Sequence, residues 1–166
     1  MSRTPFFYIE KYNNKTGKYD IVQAFHKDYL NKEIVLADVW PYNGTHDLFN
    51  ILENNQYGVK GIKDGIPVDA DEYIAKKYEE CKGKFEGLPA HWFFWDSLLL
   101  SINNNPKVPS YLVDNNDDSD NDGDSENQLA ETPLLPFANR VVEYIDIAET
   151  FGFDSSETYR IIYWII

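Results

Sequence analysis

The chain has 166 residues, 43% of them apolar, which suits one domain with a real core and is short for two. A single Cys excludes an internal disulfide framework and any cysteine-rich zinc module. The formal charge is −13, but Asp114, Asp117, Asp118, Asp120, Asp122, Asp124 and Glu126 fall in one stretch free of Lys and Arg, and subtracting those seven leaves −6 for the rest.

Holding a phosphate backbone requires clustered Lys and Arg, because affinity comes from counterion release. The densest groups here, Lys76-Lys77 and Lys82 with Lys84, are interrupted by Glu79 and Glu80. This balance argues against direct nucleic-acid binding and against an anionic membrane surface. Phe6 to Ile9 is too short an apolar run for a signal-peptide core, and no stretch approaches a membrane span. The expected location is the cytoplasm.

The elements are legible in chain order. Phe6-Phe7-Tyr8-Ile9-Glu10-Lys11-Tyr12 and Lys18 to Phe25 flank the turn Asn13-Asn14-Lys15-Thr16-Gly17, which reads as a β-hairpin. Glu33 to Val39 suits a short strand. A helix starting at Thr45 presents Leu48, Phe49, Ile51 and Leu52 on one face and ends at Asn54-Asn55. Gly58 to Val68 is loop, and Asp69 is placed to cap a helix from Ala70 to Lys82. Asp96 is placed to cap a short helix from Ser97 to Asn103. Residues 114–128 have the composition of a mobile acidic loop within the domain, since they hold too little apolar surface to offset their ordering entropy. Leu134 to Phe151 carries the strongest helical stripe, Leu134, Phe137, Val141, Ile145 and Ala148. Ile161 to Ile166 has no polar break, as expected of a strand covered on both faces, in mid-sheet beside the hairpin. The expected fold is α+β over residues 1–166: one domain with a mostly antiparallel or mixed sheet and about four helices.

Three groups of residues carry chemistry. Trp40, Tyr42, Asn43, Thr45 and His46 precede a helix start, where aromatic faces and free N–H groups suit a planar base and an anion. His91 and Trp92 lie at the loop end of a second aromatic cluster and are expected to complete the same pocket. Aromatic anchoring of loops to a core is the more ordinary use of both clusters. Asp118, Asp120, Asp122 and Asp124 around Gly123 match the first half of a calcium loop, but the bidentate Glu of its last position is replaced by Leu129. Glu143, Asp146 and Glu149 recur at i, i+3 and i+6 and form either a phosphate-mimicking ridge or the solvated face of a helix. No phosphate loop, dinucleotide fingerprint or nucleophile elbow is present, so no catalytic residue and no cofactor is assigned. A metal-dependent hydrolase would have to assemble from His46 and His91 with Asp47 or Asp96.

Asn43-Gly44-Thr45-His46-Asp47-Leu48-Phe49, Gly65-Ile66-Pro67-Val68-Asp69, His91-Trp92 and Arg160-Ile161-Ile162-Tyr163-Trp164 occur in an order that resembles a diffuse group of uncharacterised small proteins of tailed bacteriophages. The resemblance spans residues 5 to 166, and the acidic insert at 115–127 departs from it. It implies phage origin and brings no chemistry with it. The leading expectation is a non-enzymatic counter-defence protein that sequesters a nucleotide-derived immune signal and is compatible with a homo-oligomer. The alternative is an acidic inhibitor of a host defence protein, acting through Glu143, Asp146 and Glu149.

Overall fold

The computed structural model describes residues 5–21, 48, 50–113, 128–148 and 159–165. The fold is α+β. β1 (Pro5–Asn13) and β2 (Lys18–Ile21) form the hairpin, with Tyr12 opposite Tyr19. The turn between them is closed by the Gly17 N–H on the Asn13 carbonyl at 2.8 Å. β3 (Lys63–Asp64) and β4 (Ala90–Phe94) pair antiparallel, and β7 (Tyr159–Ile165) lies between β1 and β4. The sheet order is β2-β1-β7-β4-β3, with every pairing antiparallel. β5 (Lys107–Pro109) and β6 (Leu129–Glu131) make a separate two-stranded ladder.

The last strand is central, as its unbroken apolar run requires. Alternate side chains leave opposite faces of a strand. Tyr159, Ile161 and Tyr163 enter one core with Phe7, Ile9 and Phe93, while Ile162 and Trp164 enter a second with Tyr8 and Ala90. α1 (Glu72–Lys84) covers the second face through Ile74, Tyr78 and Cys81. The first face is covered by helical residues 48 and 50–52, by α2 (Trp95–Asn104) and by α3 (Leu134–Ala148). Both faces of the central strand β7 are therefore covered, which explains its lack of polar alternation.

Two helix starts differ from expectation. α1 is capped by Asp71, whose Oδ1 accepts the Tyr73 N–H at 2.9 Å. Asp69 instead accepts from the Arg160 guanidinium at 2.8 Å and is not available to cap. α2 begins at Trp95 without a side-chain cap, and Asp96 sits in its first turn. The strand expected at Glu33 to Val39 and the acidic segment from Asp114 to Asn127 lie outside the described residues.

Candidate functional site

β4 places His91 and Trp92 on opposite faces of the sheet, since they are consecutive strand residues. Trp92 is half-buried on the α1 side. Lys63 Nζ lies 5.1 Å and Arg160 Cζ 5.4 Å from its ring centre, and Phe94 meets it edge-on. His91 faces the other way, directly across the ladder from Tyr163. The strand thus does not bring these two sequence candidates into one pocket wall. Trp40, Tyr42, Asn43, Thr45 and His46 lie outside the described residues, as do Asp118, Asp120, Asp122, Asp124 and Glu149. Glu143 and Asp146 lie on α3, and their side chains are outside the described set.

His91 sits between two carboxylates. Its Nε2 is 3.2 Å from Glu53 Oε1 and its Nδ1 is 3.1 Å from Asp64 Oδ1. Each partner is delivered by a different element. Leu48, Ile51 and Leu52 are buried in the core, which fixes the helical turn that ends at Glu53. Asn54 then stops the helix by accepting the Gln56 and Tyr57 N–H groups on its Oδ1, both at 2.9 Å. Asp64 comes from the edge strand β3, opposite His91 in register. The Tyr163 hydroxyl donates to the same Glu53 Oε1 at 2.7 Å, and its ring lies 5.5 Å from the imidazole. Burial, reinforced by the Glu53 carboxylate, pushes the Tyr163 hydroxyl far above its ordinary value, so it remains a donor.

The result is a relay Tyr163–Glu53–His91–Asp64 that runs from the core to the surface. Glu53, His91 and Asp64 line an open pocket of about 340 Å³, whose lining also includes Asn54, Asn55 and Lys60. Lys60 is held there from two sides. Its N–H donates to Ser101 Oγ on α2 at 3.1 Å, and its ammonium donates to the Asn55 carbonyl. Among the described residues no group of three or more His, Cys, Asp or Glu side chains is placed to hold a metal ion. At His91 the two carboxylates contact opposite ring nitrogens.

Glu53, Asp64 and Tyr163 were not singled out by sequence reasoning. Glu53 and Asp64 are ordinary acids beside turn residues, and Tyr163 sits inside a core strand. The β4–β7 register sets Tyr163 opposite His91 and the β3–β4 register sets Asp64 opposite it, while Glu53 arrives from a turn outside the sheet. No family model, curated protein or solved structure matches the chain. Among the described residues no helix is long and apolar enough to cross a membrane.

Proposed function

We propose that this chain is a non-enzymatic binding protein whose ligand site is the pocket around His91. The observation that carries the reading is a partly exposed imidazole bracketed by Glu53 and Asp64 on the wall of an open cavity. At about 340 Å³ the cavity falls at the small end of the roughly 300–1,000 Å³ usual for small-molecule sites. Its walls are mixed, with two carboxylates, two amides and the Lys60 ammonium beside the apolar Val59 and Ile62. Carboxylates accept from hydroxyls and exocyclic amines, while a lone ammonium can meet one phosphate. These features support a nucleoside-like ligand held mainly by its sugar and base. The segment from Trp40 to Asp47 runs in sequence directly into the helical turn that delivers Glu53. In the setting that the bacteriophage resemblance implies, such a pocket would sequester a nucleotide-derived immune signal inside the host cell.

The test is calorimetry against adenosine, ADP-ribose and cyclic dinucleotides, with His91→Ala alongside. Saturable heat from a panel member, lost in the variant, supports the reading. No heat across the panel, or undiminished binding by His91→Ala, sinks it.

A further inference from the structure

The charged groups that line the pocket differ in how far they are already engaged. Glu53 is held through Oε1, which accepts from the Tyr163 hydroxyl and faces His91 Nε2. Asp64 meets His91 Nδ1 through Oδ1. The second oxygen of each carboxylate has no hydrogen-bond partner among the described residues, and both side chains are open to solvent. The cation is placed differently. Lys60 directs its ammonium to the Asn55 carbonyl, while its N–H is held by Ser101 Oγ on α2. The amides of Asn54 and Asn55 add no charge, and Val59 and Ile62 supply apolar surface.

An ionised carboxylate only accepts hydrogen bonds. An ionised phosphate likewise brings oxygens with no proton to give. A phosphate carried against Glu53 or Asp64 therefore meets like charge and finds no donor on either side chain. One ammonium with a backbone oxygen already on it does not offset two carboxylates. Hydroxyls and amines have the protons that those oxygens can take. We infer that the pocket selects for donors and against phosphate. It takes the hydroxyl- or amine-bearing end of a nucleoside-like molecule, neutral or cationic, and a phosphate on that end weakens binding. The net charge of −13 on the chain acts in the same direction at longer range.

The selection rests on the binding-site reading above, and one experiment separates the two. Calorimetry is run with adenosine, AMP and ADP at about 0.1 M salt and again at about 1 M, where the screening length falls from about 10 Å to about 3 Å. Adenosine is expected to bind tightest, AMP about threefold weaker or more, and ADP weaker again, as a like-charge contact at an open site implies. The gap should narrow at high salt. Asp64→Asn exchanges a carboxylate oxygen for an amide donor at a side chain that is 95% exposed, where the fold does not depend on it. The ratio of the AMP to the adenosine Kd should then fall toward one. AMP or ADP that binds the wild type as tightly as adenosine would overturn the selection and leave the binding-site reading standing. A ratio that Asp64→Asn leaves unchanged, or binding by phosphate-bearing ligands alone, would do the same. No heat from these three or from the wider panel would remove the binding-site reading, and the selection with it.

Discussion

Arg160 Nε lies 2.5 Å from Glu10 Oε1, and the two side chains are 2% and 0% exposed. The pair crosses from β7 to β1 at positions that face each other in register. The rest of the guanidinium reaches Asp69, by Nη1 to the carboxylate at 2.8 Å and by Nη2 to the carbonyl at 3.2 Å, and it stacks 3.6 Å over the Tyr19 ring. The other Glu10 oxygen accepts the Asp71 N–H at 2.6 Å. One buried ion pair therefore joins three strands to the segment that starts α1.

Removing one member of such a pair strands the other charge in the interior, at a cost of about 3–5 kcal/mol. Arg160→Met is expected to lose that much stability in urea unfolding. Glu10→Gln in the same chain relieves the stranded carboxylate and keeps an acceptor for the Asp71 N–H. The double variant should recover at least about 1 kcal/mol over Arg160→Met, as coupled neighbours do. Additive losses would show that the two side chains are not energetically coupled.

The same pair sets a pH dependence. Burial raises the Glu10 carboxyl above its ordinary value of 4.5, against the lowering pull of the Asp71 N–H and the Arg160 guanidinium. The folded chain thus holds that proton more tightly than the unfolded one. Its stabilising contribution is fully present below pH 4.5 and is lost as pH rises through the raised folded value. Unfolding free energies of the wild type and Glu10→Gln, measured across a pH series, isolate this site from the other carboxylates. The stability of the wild type relative to the variant should fall as pH rises above the ordinary carboxylate range. A flat or rising difference would contradict the burial argument.

Local pattern carried the frame of the fold but not its site. The hairpin was legible because Asn13 to Gly17 is turn chemistry between β-rich runs, and β7 because six apolar residues in a row need cover on both faces. β4 was less visible, since its three consecutive aromatics, Trp92, Phe93 and Phe94, show no period of two. β5 and β6 escaped because each is three residues long and their partners are far apart in sequence. Asp69 and Asp71 are equivalent as caps on paper, and only the long-range demand of Arg160 separates them. The Tyr163–Glu53 bond spans 110 positions, and no periodicity encodes a contact of that kind.

Tyr163→Phe tests the relay with little change in packing. The ring stacks on Phe7 at 5.5 Å and meets Phe93 at 6.1 Å, and Phe keeps both contacts. What is lost is the hydroxyl on the Glu53 carboxylate, a bond to a charged group worth about 1.5–3 kcal/mol net. Unfolding should register a loss of that size. With Glu53 no longer held by the hydroxyl, its contact with His91 loosens, and the His91 ring nitrogens should shift in the NMR spectrum. Unchanged stability together with unchanged His91 ring signals would mean that the hydroxyl holds nothing in place.

Gly58 closes the turn that carries Glu53, where the backbone leaves no room for a side chain. A Cβ there would stand 2.5 Å from the carbonyl oxygens of Ile51 and Leu52 and 2.6 Å from that of Asn54. These are backbone atoms and cannot rotate aside. They also accept hydrogen bonds that close the turn, from Asn54 N–H to Ile51 at 3.0 Å, Gly58 N–H to Asn54 at 3.0 Å and Val59 N–H to Leu52 at 2.9 Å. Gly58→Ala must therefore push the turn open, at a cost in the range of about 1–3 kcal/mol typical of overpacking. Glu53 lies within the displaced segment, so the damage should extend to the pocket. The His91 ring nitrogens are then expected to shift in the NMR spectrum although His91 is on another element. A variant with wild-type unfolding behaviour and an undisturbed His91 signal would show that the turn does not position Glu53.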